Sequence, residues 1–243
     1  MRMNQPPTPP HQEAHAIPTA SARDARTPAA TEARAASTPW FPLFTRDDDA
    51  LARLHFANLR IPRAAARALA DATLDILARR GYEHAAQGWI DLAADLERAM
   101  AERRSIRPDA ALPAAPPRAF ASTWMDVANE TSLGAARRLV DEGWRNPLIL
   151  NFANGLHPGG GFLVGSRAQE EYLCRSSGLY TTLVGDGMYR AHAQRPEPDS
   201  TDWAIYSPHV PVIRNDRGEL LDQPWFATVL TCAAPVAQRI GLE

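Results

Sequence analysis

The chain has 243 residues, a length that fits one domain or one domain with an extension. Hydrophobic residues make up 45% of it, charged residues 22%, and the formal net charge is -2, a balance typical of a globular protein that argues against general binding to nucleic acid or to an anionic membrane. No apolar run approaches the roughly 18 to 20 residues that cross a bilayer.

The N-terminal part of the chain predicts a disordered tail over residues 1–39. This stretch contains seven prolines and no hydrophobic period, so it cannot bury enough apolar surface to offset the entropy lost on ordering. No apolar stretch follows Met1, which predicts that there is no secretory signal. The chain has only two cysteines, Cys174 and Cys232, and we expect a reducing, cytoplasmic location with both of them buried.

Residues 40–117 predict a helical extension followed by a proline-rich connector. Apolar residues from Leu69 to Leu77 recur at helical spacing, and Gly81 follows as a C-cap glycine would, which predicts a helix ending near Arg80. The one-sided pattern from Trp89 to Met100 predicts a second helix.

Strands and helices then alternate over residues 118–243, which predicts an α/β domain. Thr131 and Ser132 are candidate N-caps of a helix that Gly143 closes. The continuous apolar run from Leu148 to Phe152 is typical of a parallel strand covered on both faces. A strand, a helix and a second strand in this order predict a βαβ unit on a mostly parallel sheet.

A glycine triplet follows the run from Leu148 to Phe152 and is a candidate anion site. Gly159, Gly160 and Gly161 permit unusual backbone angles and let main-chain N–H groups approach a ligand such as a diphosphate. The helix that begins near Gln169 adds a favourable potential for an anion. The chain contains no lysine for a Walker loop, and the triplet does not match GxGxxG. A mobile surface turn is the alternative interpretation.

Two adjacent acids follow the triplet and are candidates for acid–base chemistry. Glu170 and Glu171 begin the helix, where carboxylates often only complement the helix dipole. Successive helical residues point about 100° apart, so the two carboxylates can take different roles. Because two carboxylates close to a diphosphate disfavour ionisation, one of them is expected to stay protonated near neutral pH.

These residues together carry a family resemblance. The string NFANGLHPGGGFLVGSRAQEEYLCRSSGLY, a glycine triplet followed after a short spacer by Gln-Glu-Glu, resembles the signature of microbial-type poly(ADP-ribose) glycohydrolases, and the similarity extends over roughly residues 60 to 238. The resemblance implies a macrodomain-like three-layer α/β/α sandwich with a mostly parallel or mixed sheet, preceded by a helical extension. It also implies hydrolysis of ribose–ribose O-glycosidic bonds, with ADP-ribose as the product.

The resemblance further implies a role for each matching residue. Glu171 would be the catalytic acid and base, and Glu170 would hold ribose hydroxyls. Asn154 would lie against the distal ribose, although capping of the loop is an equal alternative. The remaining substrate-binding residues would be Gln169 of the signature, the diphosphate-cradling Gly159, Gly160 and Gly161, and Phe162, which would pack along the diphosphate.

The implied partner is an ADP-ribose polymer or an ADP-ribosylated protein, with neither DNA nor membrane involved and with no metal or cofactor. His157 departs from the family, which more often has asparagine there. The family also continues beyond AAPVAQRIGLE with a second glycine-rich loop and an adenine-stacking aromatic, so we expect the sheet to lack its last strands. Two alternatives therefore stay open: an ADP-ribose-binding module without turnover, and an inactive truncated remnant.

Other reactive residues predict no separate site. Cys174 falls on the apolar side of its helix, which disfavours a nucleophilic role. His192 and His209 lack partners at metal-ligand spacing, and Tyr206 and Phe226 are expected in the core of the sheet.

Overall fold

The computed structural model describes residues 43–112, 114, 125–144, 146–195 and 199–235. The tail predicted over residues 1–39 lies outside these ranges, as does most of the proline connector. No helix within the described residues is both long and apolar enough to cross a membrane.

The N-terminal part of the described chain contains helices, as predicted, together with short strands that the sequence pattern did not reveal. Its elements are β1 (Leu43–Arg46), α1 (Asp49–Leu59), α2 (Arg63–Arg79), β2 (Gly81–His84), β3 (Gly88–Asp91), α3 (Ala93–Glu102) and β4 (Arg104–Ile106). Trp89 therefore lies on a strand and not on the predicted second helix, which begins only at Ala93. The β2–β3 hairpin turns at Gly88, whose φ of 71 is easily adopted only by glycine.

Helix α2 ends where the sequence predicts, but by a different cap. Arg80 itself adopts the left-handed conformation, with φ 57, and its N–H bonds back to the last turn of the helix. Gly81 instead starts β2, where a Cβ would lie 2.5 Å from the Trp89 ring. The glycine is therefore needed for hairpin packing and not for the helix cap.

The C-terminal part has the predicted alternation of strands and helices. Its elements are β5 (Met125–Ala128), α4 (Ser132–Asp141), β6 (Leu148–Ala153), α5 (Gln169–Ser176), α6 (Leu179–Leu183), α7 (Gly187–Ala193), β7 (Ala204–Arg214) and β8 (Leu220–Ala233). The predicted cap of α4 is confirmed, because Thr131 Oγ1 accepts a hydrogen bond of 2.9 Å from Gly134 N–H.

Four strands form a mixed sheet in the order β4-β7-β8-β6. Strands β7 and β8 form a long antiparallel hairpin, and β6 pairs with β8 in parallel. Strand β5 pairs with β1 in a separate two-stranded sheet, so β5, α4 and β6 do not form a βαβ unit within one sheet.

The described residues cover only one face of β6. Ile149, Asn151 and Ala153 are buried, whereas Leu148 and Phe152 are 58% and 61% exposed. The expectation of a strand covered on both faces is therefore wrong for the part of the chain that the structure describes. An alternating exposure of this kind reflects the two-residue period of a strand, which a continuous apolar run conceals.

Two clusters of buried hydrophobic residues join the N-terminal and C-terminal parts of the described chain. The larger one packs α5, α6 and α7 against the sheet, with Leu173, Leu183 and Ile205 almost completely buried. The smaller one packs residues of α2, α3 and β2 against Ile213 of β7. The N-terminal helices thus share a core with the sheet, and the predicted domain boundary at residues 117 and 118 stays a prediction.

Helix α2 also holds the loop that follows β6. Arg63 Nε donates a hydrogen bond of 2.8 Å to Val164 O. The next residue, Gly165, has φ 77, and a Cβ there would lie 2.3 Å from the carbonyl oxygen of Arg63. The loop can reach the helix this closely only because residue 165 has no side chain.

We expect Gly165→Ala to destabilise the protein much more than Gly185→Ala. Both glycines have φ 77, but a Cβ at residue 185 meets nothing within 4 Å. Gly185→Ala should cost about 1 to 2 kcal/mol for the left-handed backbone, whereas Gly165→Ala adds an overpacking cost of about 1 to 3 kcal/mol. Urea unfolding of the two variants measures the difference, and equal losses would contradict the tight contact between α2 and the loop.

Candidate active site

The site begins at Asn154, directly after the last residue of β6. Its side-chain Oδ1 accepts hydrogen bonds from the N–H groups of Leu156 and His157, at 2.8 and 2.9 Å. This is the loop-capping arrangement that the sequence left as one of two alternatives. The contact of Asn154 with a ribose stays a prediction.

The glycine triplet packs directly against the two acids of α5. Gly159 and Gly160 have φ values of 70 and 57. A Cβ on Gly160 would lie 2.5 Å from Glu171 Oε1 and 2.7 Å from Glu170 Oε2. Both carboxylates therefore converge on the backbone of Gly160, and any side chain at this position would push them away.

The N–H groups of the triplet already donate to protein atoms. Gly161 N–H donates to Glu171 Oε1 at 2.7 Å, and Gly160 N–H donates to the carbonyl oxygen of His157 at 2.9 Å. The cradling of a diphosphate by these amides stays a prediction. The triplet lets the backbone approach the two carboxylates and hold them.

Glu170 and Glu171 are buried, with exposed fractions of 4% and 7%. Glu170 Oε2 accepts a hydrogen bond of 2.8 Å from Asn154 N–H, and Glu171 Oε1 accepts the bond from Gly161. The other oxygen of each carboxyl group, Glu170 Oε1 and Glu171 Oε2, accepts no hydrogen bond from any described residue. Surface acids that only complement a helix dipole would be solvated, so that interpretation is excluded.

Burial raises the pKa of Glu170 to about 7. The hydrogen bond from Asn154 N–H opposes this shift, and repulsion from the Glu171 carboxylate adds to it. A carboxyl group that keeps its proton near neutral pH was predicted for this pair. For Glu170 the main cause is burial, and the repulsion from Glu171, on which the prediction depended, is a smaller contribution.

Gln169 anchors the start of α5 to the edge of β6. Its Nε2 donates to Leu150 O at 2.8 Å and to Ser132 Oγ at 3.0 Å, while its Oε1 accepts from Phe152 N–H at 2.9 Å. Both N–H donors of the side chain are thus used by the protein. Gln169 thus positions the helix that carries the two acids, and its predicted role in binding substrate stays a prediction.

Phe162 is completely buried and does not reach the surface. Its ring packs against Tyr180, with the ring centroids 5.1 Å apart. A turn of 3-10 helix over Phe162–Val164 directs the ring into the core, and its predicted packing along a diphosphate stays a prediction.

Cys174 lies in the same core and is completely buried, as expected. Burial raises the pKa of its thiol well above the usual value, and the neighbouring carboxylates of Glu170 and Glu171 raise it further. A thiol held neutral in this way is a poor nucleophile. Cys232 is only partly buried, so the expectation that both cysteines are fully buried holds for Cys174 alone.

The remaining candidates hold structural contacts. His192 Nε2 lies 2.8 Å from Thr201 Oγ1, and His209 stacks on Phe226 with ring centroids 4.0 Å apart. Tyr206 and Phe226 are both partly buried.

Sequence reasoning missed the contacts that fix α5 from its other side. The Tyr172 hydroxyl donates to Asp216, and the carboxylate of Asp216 also accepts from Thr131 Oγ1 at 3.1 Å. Arg175, one turn after Glu171, is 4% exposed and donates to the carbonyl oxygen of Ser166 at 2.7 Å. The signal in the sequence was the spacing of Glu171 and Arg175, which places an acid and an arginine four residues apart on one helix face.

The arrangement is suited to acid–base chemistry. Two adjacent buried carboxyl groups each present one oxygen that is not bonded to described residues, and one of the two groups keeps its proton near neutral pH. No group of three or more His, Cys, Asp or Glu side chains among the described residues could hold a metal ion.

Comparison with known proteins shows what this arrangement resembles. The family model described as "Microbial-type PARG, catalytic domain" matches residues 70–215. No curated protein matches the chain. The poly(ADP-ribose) glycohydrolase (PARG) from Thermomonospora curvata matches at 39% identity with a TM-score of 0.66, over 74% of this chain and 67% of that one.

The structure of poly(ADP-ribose) glycohydrolase from the same organism bound to the inhibitor ADP-HPD matches at 36% identity with a TM-score of 0.63, over 74% of this chain and 66% of that one. The chain thus spans about two thirds of the length of these relatives. The macrodomain-like α/β fold that the signature implies is confirmed. Because the family model covers more than half of its residues, the chain belongs to the microbial-type poly(ADP-ribose) glycohydrolase family.

Proposed function

We propose that this chain hydrolyses the ribose–ribose O-glycosidic bonds of poly(ADP-ribose) and releases ADP-ribose. The observation that carries the proposal is the buried pair of Glu170 and Glu171, held against the backbone of Gly160, with one oxygen of each left without a hydrogen bond from the described residues. The family membership and the relative that binds the inhibitor ADP-HPD support the same chemistry.

Glu171 is the general acid and then the general base in this proposal. Its Oε1 is fixed by Gly161 N–H, so its Oε2 is the oxygen that can carry a proton to the leaving ribose oxygen. The C–O bond then breaks and leaves an oxocarbenium-like sugar. A water molecule attacks that sugar and gives its proton to the Glu171 carboxylate, which restores the acid. One carboxyl group thus does the work that most glycosidases divide between two.

Glu170 orients the sugar in this proposal. Its free Oε1 can accept a hydrogen bond from a ribose hydroxyl, and its protonated form can donate one. Because the two carboxyl groups are close, their protonation is a property of the pair.

The cellular setting follows from the same proposal. The partner is an ADP-ribose polymer or an ADP-ribosylated protein, without DNA or a membrane. A cytoplasmic location stays a proposal that depends on the low cysteine content.

We expect Glu171→Gln to abolish turnover without abolishing binding. Glutamine keeps an oxygen that can accept from Gly161 N–H but has no proton of suitable acidity, so kcat should fall by about 10²- to 10⁴-fold. Affinity for ADP-ribose should stay within about tenfold, or about 1.4 kcal/mol. Release of ADP-ribose from labelled polymer and calorimetric titration with ADP-ribose measure the two effects.

Glu102→Gln is the matched control, because Glu102 is a helical glutamate with an exposed side chain whose partner is Arg98. It should behave as the wild type does. Wild-type protein that binds ADP-ribose but releases none from the polymer would instead support a binding module without turnover.

We expect Glu170→Gln to remove the loss of folding stability that the buried Glu170 carboxylate causes at high pH. The wild-type carboxyl group has a pKa of about 7 when folded and 4.5 when unfolded, so the folded state binds the proton more tightly. Stability of the wild type therefore falls as the pH rises from about 4.5 to about 7, and the variant lacks this fall. At pH 8 the variant should be more stable by about 3 kcal/mol, while at pH 4 the two should be similar.

Urea unfolding of both proteins at the two pH values measures this difference. Comparing the two proteins cancels the titrating groups that do not interact with Glu170. A difference in unfolding free energy that does not change with pH would show that Glu170 is not desolvated in the folded protein.

A further inference from the structure

Arg175 is a buried cation to which neither the sequence nor the proposed chemistry assigns a role. It is 4% exposed, and no carboxylate in the described part of the chain lies within ion-pair distance of it. Burial lowers its pKa, and the negative charge of Glu171 raises it as the largest opposing contribution. A buried guanidinium without an ion pair is unfavourable, so a compensating contact is expected.

That contact closes a ring of hydrogen bonds around Glu171. Arg175 Nη1 donates to Ser166 O at 2.7 Å, and Ser166 N–H donates to Gly161 O at 3.0 Å. Gly161 N–H then donates to Glu171 Oε1 at 2.7 Å. Since Glu171 and Arg175 lie one turn apart on α5, the helix itself completes the ring.

The ring of hydrogen bonds connects the loop to α5 next to Gly161, whose N–H fixes the Glu171 carboxyl group. Ser166 packs tightly against Gly161 within the loop. A Cβ on Gly161 would lie 2.1 Å from Ser166 Oγ. A shift of Ser166 would therefore move Gly161, and with it the N–H that holds Glu171. The long Arg175 side chain reaches from α5 to the carbonyl oxygen of Ser166. A shorter side chain at the same position could not reach it.

We propose that Arg175 is a positioning residue for the general acid, acting through Ser166 and Gly161 to fix the Glu171 carboxyl group. This inference rests on the role proposed for Glu171. Arg175 donates to the backbone of the loop and acts on Glu171 through Ser166 and Gly161. Its loss should therefore reduce the rate of the chemical step more than the binding of substrate.

The test is Arg175→Met, which preserves the volume of the side chain and removes its charge and donors. The change leaves the carbonyl oxygen of Ser166 without its donor, at a cost of about 1 to 3 kcal/mol, and a cooperative urea transition shows that the variant is folded. We expect kcat on poly(ADP-ribose) to fall by about 10²-fold, as for a small misplacement of a catalytic group, with KM changed by no more than about threefold. Amide hydrogen exchange at Gly161 should become at least about tenfold faster, because its hydrogen bond to Glu171 is weakened.

Arg214→Met is the matched control. Arg214 is 6% exposed, it too has no carboxylate partner among the described residues, and burial also lowers its pKa. It donates to Gly218 O at 3.0 Å, in the turn between β7 and β8, and to Thr73 Oγ1 at 3.5 Å, and neither of these contacts belongs to the ring. The control should show wild-type kcat and wild-type exchange at Gly161.

The two readouts separate this inference from the proposed function. Faster exchange at Gly161 in Arg175→Met together with an inactive wild type would support the hydrogen-bond ring and overturn the proposed function. Wild-type exchange at Gly161 and wild-type kcat in a folded Arg175→Met protein would overturn the inference. A fall in kcat matched by an equal loss in Arg214→Met would also overturn it, because the effect would then be one of buried charge in general.

Discussion

Two buried carboxylates can sit against the polypeptide backbone only where that backbone has no side chain. Gly160 provides this place, because Glu170 Oε2 and Glu171 Oε1 lie 2.7 and 2.5 Å from the position that a Cβ would take. The two N–H groups that fix the pair come from Asn154 and Gly161, on either side of the loop. The end of β6, the glycine triplet and the start of α5 are arranged so that these four residues meet around Gly160.

The rest of the fold keeps that meeting point in place. Gln169 fastens the first turn of α5 to the free edge of β6, and Thr73 Oγ1 of α2 donates to the carbonyl oxygen of Arg175 at the other end of the same helix, at 2.8 Å. Helix α2 also contacts the loop at Gly165. The N-terminal helices are therefore part of the support of the site, which explains why they share a buried core with the sheet.

The sequence predicted which residues meet at the candidate site better than it predicted the hydrogen bonds between them. The glycine triplet and Gln-Glu-Glu are close along the chain, so their proximity is a local property that spacing reveals. Which carboxyl group keeps a proton depends on burial by distant segments, and the sequence does not carry that information locally. For the same reason the sequence did not reveal that Gln169 bonds to Ser132 and to the edge of β6, or that the Phe162 ring lies in the core. Short strands such as β3 were missed because Trp89 also fits a helical period.

The most direct test of this account is the turnover of poly(ADP-ribose) by Gly160→Ala, with Gly185→Ala as the control for the left-handed backbone. Gly160 and Gly185 have φ values of 57 and 77, but only the first would place a Cβ against the two carboxylates. The account predicts a folded Gly160→Ala protein whose kcat is lower by at least about 10²-fold, because the acid is displaced, and a Gly185→Ala protein with wild-type kcat. Wild-type turnover by Gly160→Ala would contradict it.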